Sequence, residues 1–328
     1  MDTAHSTPGA PPNSPAVSVV MSVYNSATYL KEAIDSVVAQ SFANFEFVIV
    51  DDGSTDQSSQ ILQAYAAQDP RIVLLTQTNQ GLPTALNAGM AAARAEVIAR
   101  MDADDVMLPN RLEKQLPYLL AHPEATVVSC LAHYINGENR VIGKNYTDLL
   151  TVADCRRYIN EGQLIFCLHP GAMFHKQPIL EIGGYRREMI YAQDIDLWNR
   201  LADQGRYTIV MPEILMRYRI HPEASMAQVS KRAMLSKWVT HCAHCRRKGE
   251  PEPSFDAYQQ QLNSASLLKK LKRKRLMYRN AYYRTAGMMY GSRRYGKFVG
   301  YMVLAALLGP RYVFFKLNHQ VFSKGSFS

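Results

Sequence analysis

Runs of strand-forming residues alternate with helical segments over the first hundred residues, and this alternation restricts the fold more than any other feature. Val17-Ser18-Val19-Val20-Met21-Ser22-Val23-Tyr24 reads as a buried strand. Asn25-Ser26 can cap the helix behind it, whose apolar positions Leu30, Ile34, Val37 and Val38 fall at helical spacing. Phe45-Glu46-Phe47-Val48-Ile49-Val50 is a second strand and runs into Asp51-Asp52-Gly53-Ser54-Thr55-Asp56. A helix near 56–68, a third strand at Ile72-Val73-Leu74-Leu75, the loop Asn79-Gln80-Gly81 and a helix near 82–94 follow. Strands that alternate with helices of about 10–15 residues build βαβ units and a parallel sheet.

The fourth strand of this series, Val97-Ile98-Ala99-Arg100-Met101, ends abruptly in Asp102-Ala103-Asp104-Asp105. Pro109 and the helix-like Arg111-Leu112-Glu113-Lys114-Gln115-Leu116 come next. Ligands of open α/β sheets bind outside the carboxyl ends of the strands. Carboxylates crowded at such an end repel one another, and protonation, separation or a cation relieves the repulsion. An oxygen-rich loop of this kind suits Mg²⁺ or Mn²⁺. The plainer reading is a solvated loop in which Asp104 or Asp105 caps the next helix. Phosphate-loop alternatives fail. No G-x-G-x-x-G follows the first strand, and Gly291-Ser-Arg-Arg-Tyr-Gly296-Lys297 ends in Phe298 where a hydroxyl is required. At the end of the second strand, one carboxylate of Asp51-Asp52 can accept from the imide N–H of a uracil or thymine.

Four features therefore stand in order: Val19-Val20-Met21-Ser22-Val23-Tyr24-Asn25; Val48-Ile49-Val50-Asp51-Asp52-Gly53-Ser54-Thr55-Asp56; Asn79-Gln80-Gly81-Leu82 with Leu86-Asn87-Ala88-Gly89; and Met101-Asp102-Ala103-Asp104-Asp105. Together they resemble a family 2 glycosyltransferase of the GT-A fold, of the type that builds bacterial surface polysaccharides. The resemblance continues through His169-Pro170-Gly171-Ala172-Met173-Phe174, Ile182-Gly183-Gly184-Tyr185, Ala192-Gln193-Asp194-Ile195-Asp196-Leu197-Trp198 and Tyr218-Arg219-Ile220-His221, covering about residues 16–225. It implies an α/β chain with a Rossmann-like nucleotide-binding mixed sheet flanked by helices. It implies inverting transfer of a sugar from a nucleotide-diphosphate donor, UDP or dTDP favoured, to an acceptor hydroxyl. Tyr24, Asn25, Asp52 and Asn87 match donor-binding positions, Asp102 and Asp104 the DXD motif that meets ribose, metal and diphosphate, and Asp194 the catalytic base. Two departures stand out. Gln193 replaces the usual Glu before Asp194, and Leu86 stands where an Arg often precedes Asn87.

Inversion needs in-line attack by a hydroxyl that loses its proton, for which Asp194 is the candidate. Mn²⁺ or Mg²⁺ on Asp104 would offset charge on the leaving diphosphate. By spacing alone, Asp194 equally suits a helix N-terminus with Leu197, Trp198 and Leu201 on its apolar face. His221, behind Arg217-Tyr218-Arg219, is an additional metal or diphosphate candidate. His169, Gly184 and Trp198 are assigned to the acceptor side, against plainer readings as loop and core residues. Two alternatives remain: a nucleotidyltransferase acting on a sugar phosphate, and a non-catalytic glycan- or lipid-binding partner subunit. His241-Cys242-Ala243-His244-Cys245 has the wrong spacing for a zinc finger and reads as a packed helix with two buried cysteines.

With 328 residues and 47% hydrophobic composition the chain can bury a sizeable core. The expected organisation is a flexible leader over 1–15, a GT-A domain over 16–225 and a helical, basic region over 226–328. Five cysteines without framework spacing suit a reducing compartment. Residues 1–18 show no signal-peptide pattern, and no apolar run reaches transmembrane length. The net charge of +9 is concentrated beyond Leu267, where Leu-Leu-Lys-Lys-Leu-Lys-Arg-Lys-Arg precedes a tyrosine-rich stretch and the apolar run Phe298–Leu308. Basic residues beside an apolar helix suit an anionic membrane surface. Packing within the chain or a homodimer contact is the other reading, and no nucleic-acid motif is present. The expected location is cytoplasmic, peripheral on the inner face of the cytoplasmic membrane, where a lipid-linked or growing glycan acceptor is met.

Overall fold

The computed structural model describes residues 14–220 and 226–322, so most of the expected leader and His221 lie outside the described residues. The chain runs β1 (Val17–Val23), α1 (Ala27–Val38), β2 (Phe45–Asp51), α2 (Ser58–Gln68), β3 (Ile72–Thr76), α3 (Leu82–Ala92), β4 (Val97–Asp102) and β5 (Val106–Met107). It continues through α4 (Arg111–Leu120), β6 (Ala125–Ile135), β7 (Val141–Lys144), α5 (Val152–Asn160), β8 (Met173–His175), α6 (Lys176–Glu181), α7 (Gln193–Asp203) and β9 (Tyr207–Arg219). Helices α8 (Met226–Arg247), α9 (Phe255–Ser264), α10 (Leu267–Gly291), α11 (Tyr295–Leu308) and α12 (Pro310–Phe322) close it.

The strands form one mixed sheet in the order β3-β2-β1-β4-β8-β6-β9-β5, with β7 beside β6. Strands β1 to β4 pair in parallel, as the alternation with helices requires. Their covered faces explain the near-continuous burial of β1, β2 and β4. Beyond β4 the pairing turns antiparallel through β8 and β6. The order reverses at β1, which lies between β2 and β4, and this is the switch point at which α/β sheets open a crevice. Register aligns the crevice wall, because Val23 stands opposite Asp51 and Ser22 opposite Asp102.

Compact packing divides the chain into two units. One comprises residues up to Ala132 with Tyr146–Glu188 and Leu197–Arg217, and the other His133–Asn145, Met189–Asp196 and the residues from Tyr218 on. The units are discontinuous in sequence, unlike the single expected boundary at 225. The core of the first includes Val20, Val48, Leu86, Ile98, Phe174 and Trp198. Gly89 permits close seating of α3, since a Cβ there would stand 2.6 Å from Val20 Cγ1. The second unit has its own core of Met189, Leu235, Trp238, Val239, Cys242 and Tyr258. Trp238 donates its indole N–H to Pro253 O at 2.8 Å. Cys242 and Cys245 are buried in α8 as expected for a packed helix, and all five cysteines are free thiols.

Candidate active site

The crevice at the carboxyl ends of β1, β2 and β4 holds a cavity of about 340 Å³, within the usual range of ligand pockets. Its walls include Tyr24, Asp52, Gly81, Asp102 and Asp104, with Ser22 at the strand end. Four residues assigned from sequence to donor or metal binding (Tyr24, Asp52, Asp102 and Asp104) thus come together. Tyr24 is 50% exposed and offers a ring to the opening.

Asp52 organises the loop opposite. Its Oδ1 accepts from Gln77 Nε2 at 2.7 Å and the Gln80 amide at 2.9 Å, and Oδ2 accepts from the Gly81 amide at 2.8 Å. A carboxylate has about four acceptor positions, so three bonds leave capacity toward the cavity. Gly53 and Gly81 have φ of 75° and 86°, the left-handed region glycine tolerates. Asn25 does not line the cavity. Its Oδ1 accepts from the amides of Thr55 at 2.7 Å and Asp56 at 3.3 Å, tying the loop after β1 to the loop after β2. Asn87 also lies off the cavity wall. Its amide donates to Tyr185 O at 2.7 Å and accepts from Tyr185 N at 2.9 Å.

Asp102, Asp104 and Asp105 each place a carboxylate oxygen within 4.8 Å of the others. Such a set of hard oxygen donors fits Mn²⁺ or Mg²⁺. Beneath it, Arg100 is buried and forms an ion pair with Asp102, whose side chain keeps 29% exposure. Burial pushes the Asp102 carboxyl up, Arg100 pulls against it, and Asp104 adds to the rise. Arg111 is fully buried below the same loop. It donates to the carbonyls of Arg100 at 3.0 Å, Pro170 at 2.9 Å and Ala172 at 3.1 Å. Burial lowers its pKa to about 10, which leaves it charged at neutral pH. Sequence reasoning missed both arginines. The signal available was a basic residue inside the apolar run of β4 and another in the first turn of an apolar-faced helix.

The residues assigned to the acceptor side have well-defined packing roles. Trp198 has no exposed surface and packs edge-on to Phe174 and His169, so it is a core residue in this structure. His169 is buried too, with Nε2 at 2.8 Å from Tyr185 Oη. Burial, then the charge of Arg100, holds its pKa well below the ordinary histidine value, so the ring is neutral. Gly184 has φ of 65°, and a Cβ there would stand 2.6 Å from Asn87 Oδ1. Its role is to let the chain approach Asn87. Asp194 is the second residue of α7 and partly exposed, and Ala192 just before the helix has φ of 58°.

The family model described as Glycosyl transferase family 2 matches residues 18–183. An uncharacterized glycosyltransferase of Methanocaldococcus jannaschii is 30% identical over 238 residues, 71% of this chain and 81% of its own. The amylovoran biosynthesis glycosyltransferase AmsE of Erwinia amylovora is 29% identical over 209 residues, 62% of this chain and 75% of its own. Among solved structures, the mannosyltransferase PcManGT from Pyrobaculum calidifontis, in complex with GDP-Man and Mn²⁺, superposes with a TM-score of 0.54. It is 19% identical, over 90% of this chain and 86% of that one. At that identity the likeness speaks for the fold.

Proposed function

Because this chain belongs to glycosyl transferase family 2, with a mixed sheet of the GT-A type, we propose an inverting, metal-dependent transfer. The sugar moves from a nucleotide-diphosphate donor, UDP or dTDP favoured, to a hydroxyl of a lipid-linked or growing cell-surface glycan. The observation that carries the reading is the cavity at the switch point, whose lining gathers Asp52, Asp102 and Asp104. Family membership sets the nucleotidyltransferase alternative aside, and the complete set of Asp102, Asp104 and Asp194 speaks against a partner subunit without turnover.

Asp52 takes the base, using the acceptor capacity its loop bonds leave, and Tyr24 covers the nucleoside. Asp104, with Asp102 beside it, would hold Mn²⁺ or Mg²⁺, and the ion would supply positive charge against the leaving diphosphate. Asp194 receives the proton of the acceptor hydroxyl as that oxygen attacks the anomeric carbon from the face opposite the diphosphate. Asp194 stands in the first turn of α7, where the helix N-terminus favours a negative charge. AmsE acts in amylovoran biosynthesis by name, which supports a surface glycan as the acceptor class. The working place in this reading is the cytoplasmic face of the membrane, where such acceptors are held.

The test is the melting temperature of the full chain with UDP, dTDP, GDP and CMP, each with Mn²⁺ and with EDTA. A ligand that binds the folded state stabilises it by mass action, by about 2.7 kcal/mol at a hundred times its Kd, and so raises the melting temperature. A rise with one uracil or thymine nucleotide, lost in EDTA, is the expected result. A rise with GDP alone would overturn the base assignment, and no rise with any of them would remove the donor site.

A further inference from the structure

The last three helices carry a surface unlike a solvated one. From Phe298 to Leu308, α11 holds no charged residue. Its Ala305 is packed, while Val299, Val303 and Leu307, each one turn apart, are 56%, 52% and 76% exposed. Gly296 and Gly300 continue this stripe, and a Cβ on either would meet nothing within 4 Å. A helix apolar on all sides is ordinarily buried in protein or lipid, yet this one leaves its outer side open. Its 14 residues rise about 21 Å, short of the roughly 30 Å of a bilayer core. No helix among the described residues is long and apolar enough to cross a membrane. Such a helix can lie in an interface without spanning it.

Charge says which interface. Residues 267–316 contain 13 Lys and Arg and no Asp or Glu, while the whole chain carries +9, so the remainder is net acidic. Exposed Arg294 and Lys297 stand at the start of α11, Arg311 and Lys316 on α12, and Lys269 and Lys272 on α10. Exposed apolar side chains are set among them, including Leu268 at 79% on α10 and Phe314 at 68% on α12. Two copies of this surface placed together would oppose two sets of uncompensated positive charge. A sheet of lipid phosphates neutralises them, and the acyl boundary takes up the apolar stripe. We infer that the outer face of α11 is an interfacial insertion surface that holds this chain on an anionic lipid bilayer, its flanking lysines and arginines at the headgroup phosphates. No donor or acceptor residue enters this inference, so it stands apart from the reading of sugar transfer.

The experiment is flotation of the full chain with vesicles of phosphatidylcholine alone and with about one third phosphatidylglycerol. Binding to the anionic vesicles should exceed binding to the neutral ones by about tenfold or more. The double variant Val303→Glu, Leu307→Glu should lose about tenfold or more of that binding. Lys269→Glu, Lys272→Glu, at exposed positions of α10, should weaken it by a similar factor through charge alone. Each variant's unaltered melting temperature checks its fold. Wild-type chain that stays off anionic vesicles overturns the inference, as does binding of both variants at the wild-type level. A wild-type dimer that the Val303, Leu307 variant converts to monomer would assign the face to a second copy instead.

Discussion

The guanidinium of Arg100 bears on the carboxylate of Asp102 from inside the first unit. Alternate residues of a strand share a face, so β4 delivers the base of the pair and its counterion together. The result is a fixed, buried positive charge paired with one of three crowded carboxylates, with Arg111 buried below the same loop. It draws Asp102 down against the burial and the Asp104 repulsion that push it up. Arg100→Met therefore removes the influence that favours the ionised form. The acid limb of kcat/KM against pH should move upward, and kcat/KM at neutral pH should fall by about tenfold or more. Arg100→Lys keeps the charge and should keep the acid limb near its wild-type position. An unmoved limb in Arg100→Met would show that Asp102 does not depend on this neighbour.

Asp104 lines the cavity, and the ion pair with Arg100 belongs to Asp102. Asp104→Asn removes one charged oxygen donor from the set of three. Turnover should fall by about a hundredfold, and donor affinity in Mn²⁺ should fall with it. Calorimetric titration of the nucleotide with and without Mn²⁺ reads the second effect directly. Donor affinity that stays at the wild-type level in Mn²⁺ would take the metal role away from Asp104.

Asp194→Asn separates chemistry from binding. The amide keeps the shape and the place at the start of α7 but cannot take a proton at neutral pH. Turnover should drop by about 10²–10⁴-fold, while the nucleotide still raises the melting temperature as in the wild type. Near-normal turnover would reduce Asp194 to a helix-terminal residue.

Much of the first unit was legible because the parallel strands spell continuous apolar runs, buried nearly throughout in β1, β2 and β4 and only in part in the edge strand β3. Val17–Val23, Phe45–Asp51, Ile72–Thr76 and Val97–Asp102 all stand where those runs lie. The short strands β5 and β8 carry two and three residues, and neighbours rather than local preference make them strands. The acid cluster was legible because three carboxylates end an apolar run. Arg100 was not, because its value depends on burial, which a single residue in a run does not declare. Asn87 and Tyr185 illustrate the same limit across 98 positions, where a side-chain amide is bonded to a distant backbone. Trp198 lay on a helix whose apolar face could be recognised, but which side chains that face meets, Phe174 and His169, could not be read from spacing.

Glu46 gives a pH dependence of stability. It is 1% exposed and accepts from Ser18 Oγ, the Arg94 amide and Arg94 Nε, each at 2.6 Å. Burial alone would raise its pKa, but these bonds outweigh it and hold the carboxyl below 4.5. The unfolded chain then binds the proton more readily than the folded one. The stabilisation is present above the unfolded value and is lost as pH falls through the folded value. Melting followed from pH 6 downward should show a decline below about pH 4.5 in the wild type. Glu46→Gln should be less stable at neutral pH by about 1–3 kcal/mol, with a shallower acid decline. An equal decline in both chains would assign the acid sensitivity to other carboxylates.

Gly89 tests how closely α3 must sit on the sheet. A Cβ at this position would lie 2.6 Å from Val20 Cγ1 and 3.3 Å from Val50 Cγ2. Both contacts are side chains of central strands with no exposed volume to move into. In a helix interior alanine is favoured over glycine by about 1 kcal/mol, so Gly89→Ala would stabilise if the space were free. Overpacking of a core site costs about 1–3 kcal/mol. The steric cost should win, and the urea midpoint should fall by about 0–2 kcal/mol divided by the slope of the transition. Because Gly81, whose amide bonds Asp52, stands immediately before α3, a displaced helix should also loosen the loop at the cavity. The nucleotide-induced rise in melting temperature should shrink in the same variant. A Gly89→Ala chain that is more stable than wild type and binds nucleotide as well would show that α3 stands off the sheet by more than these distances allow.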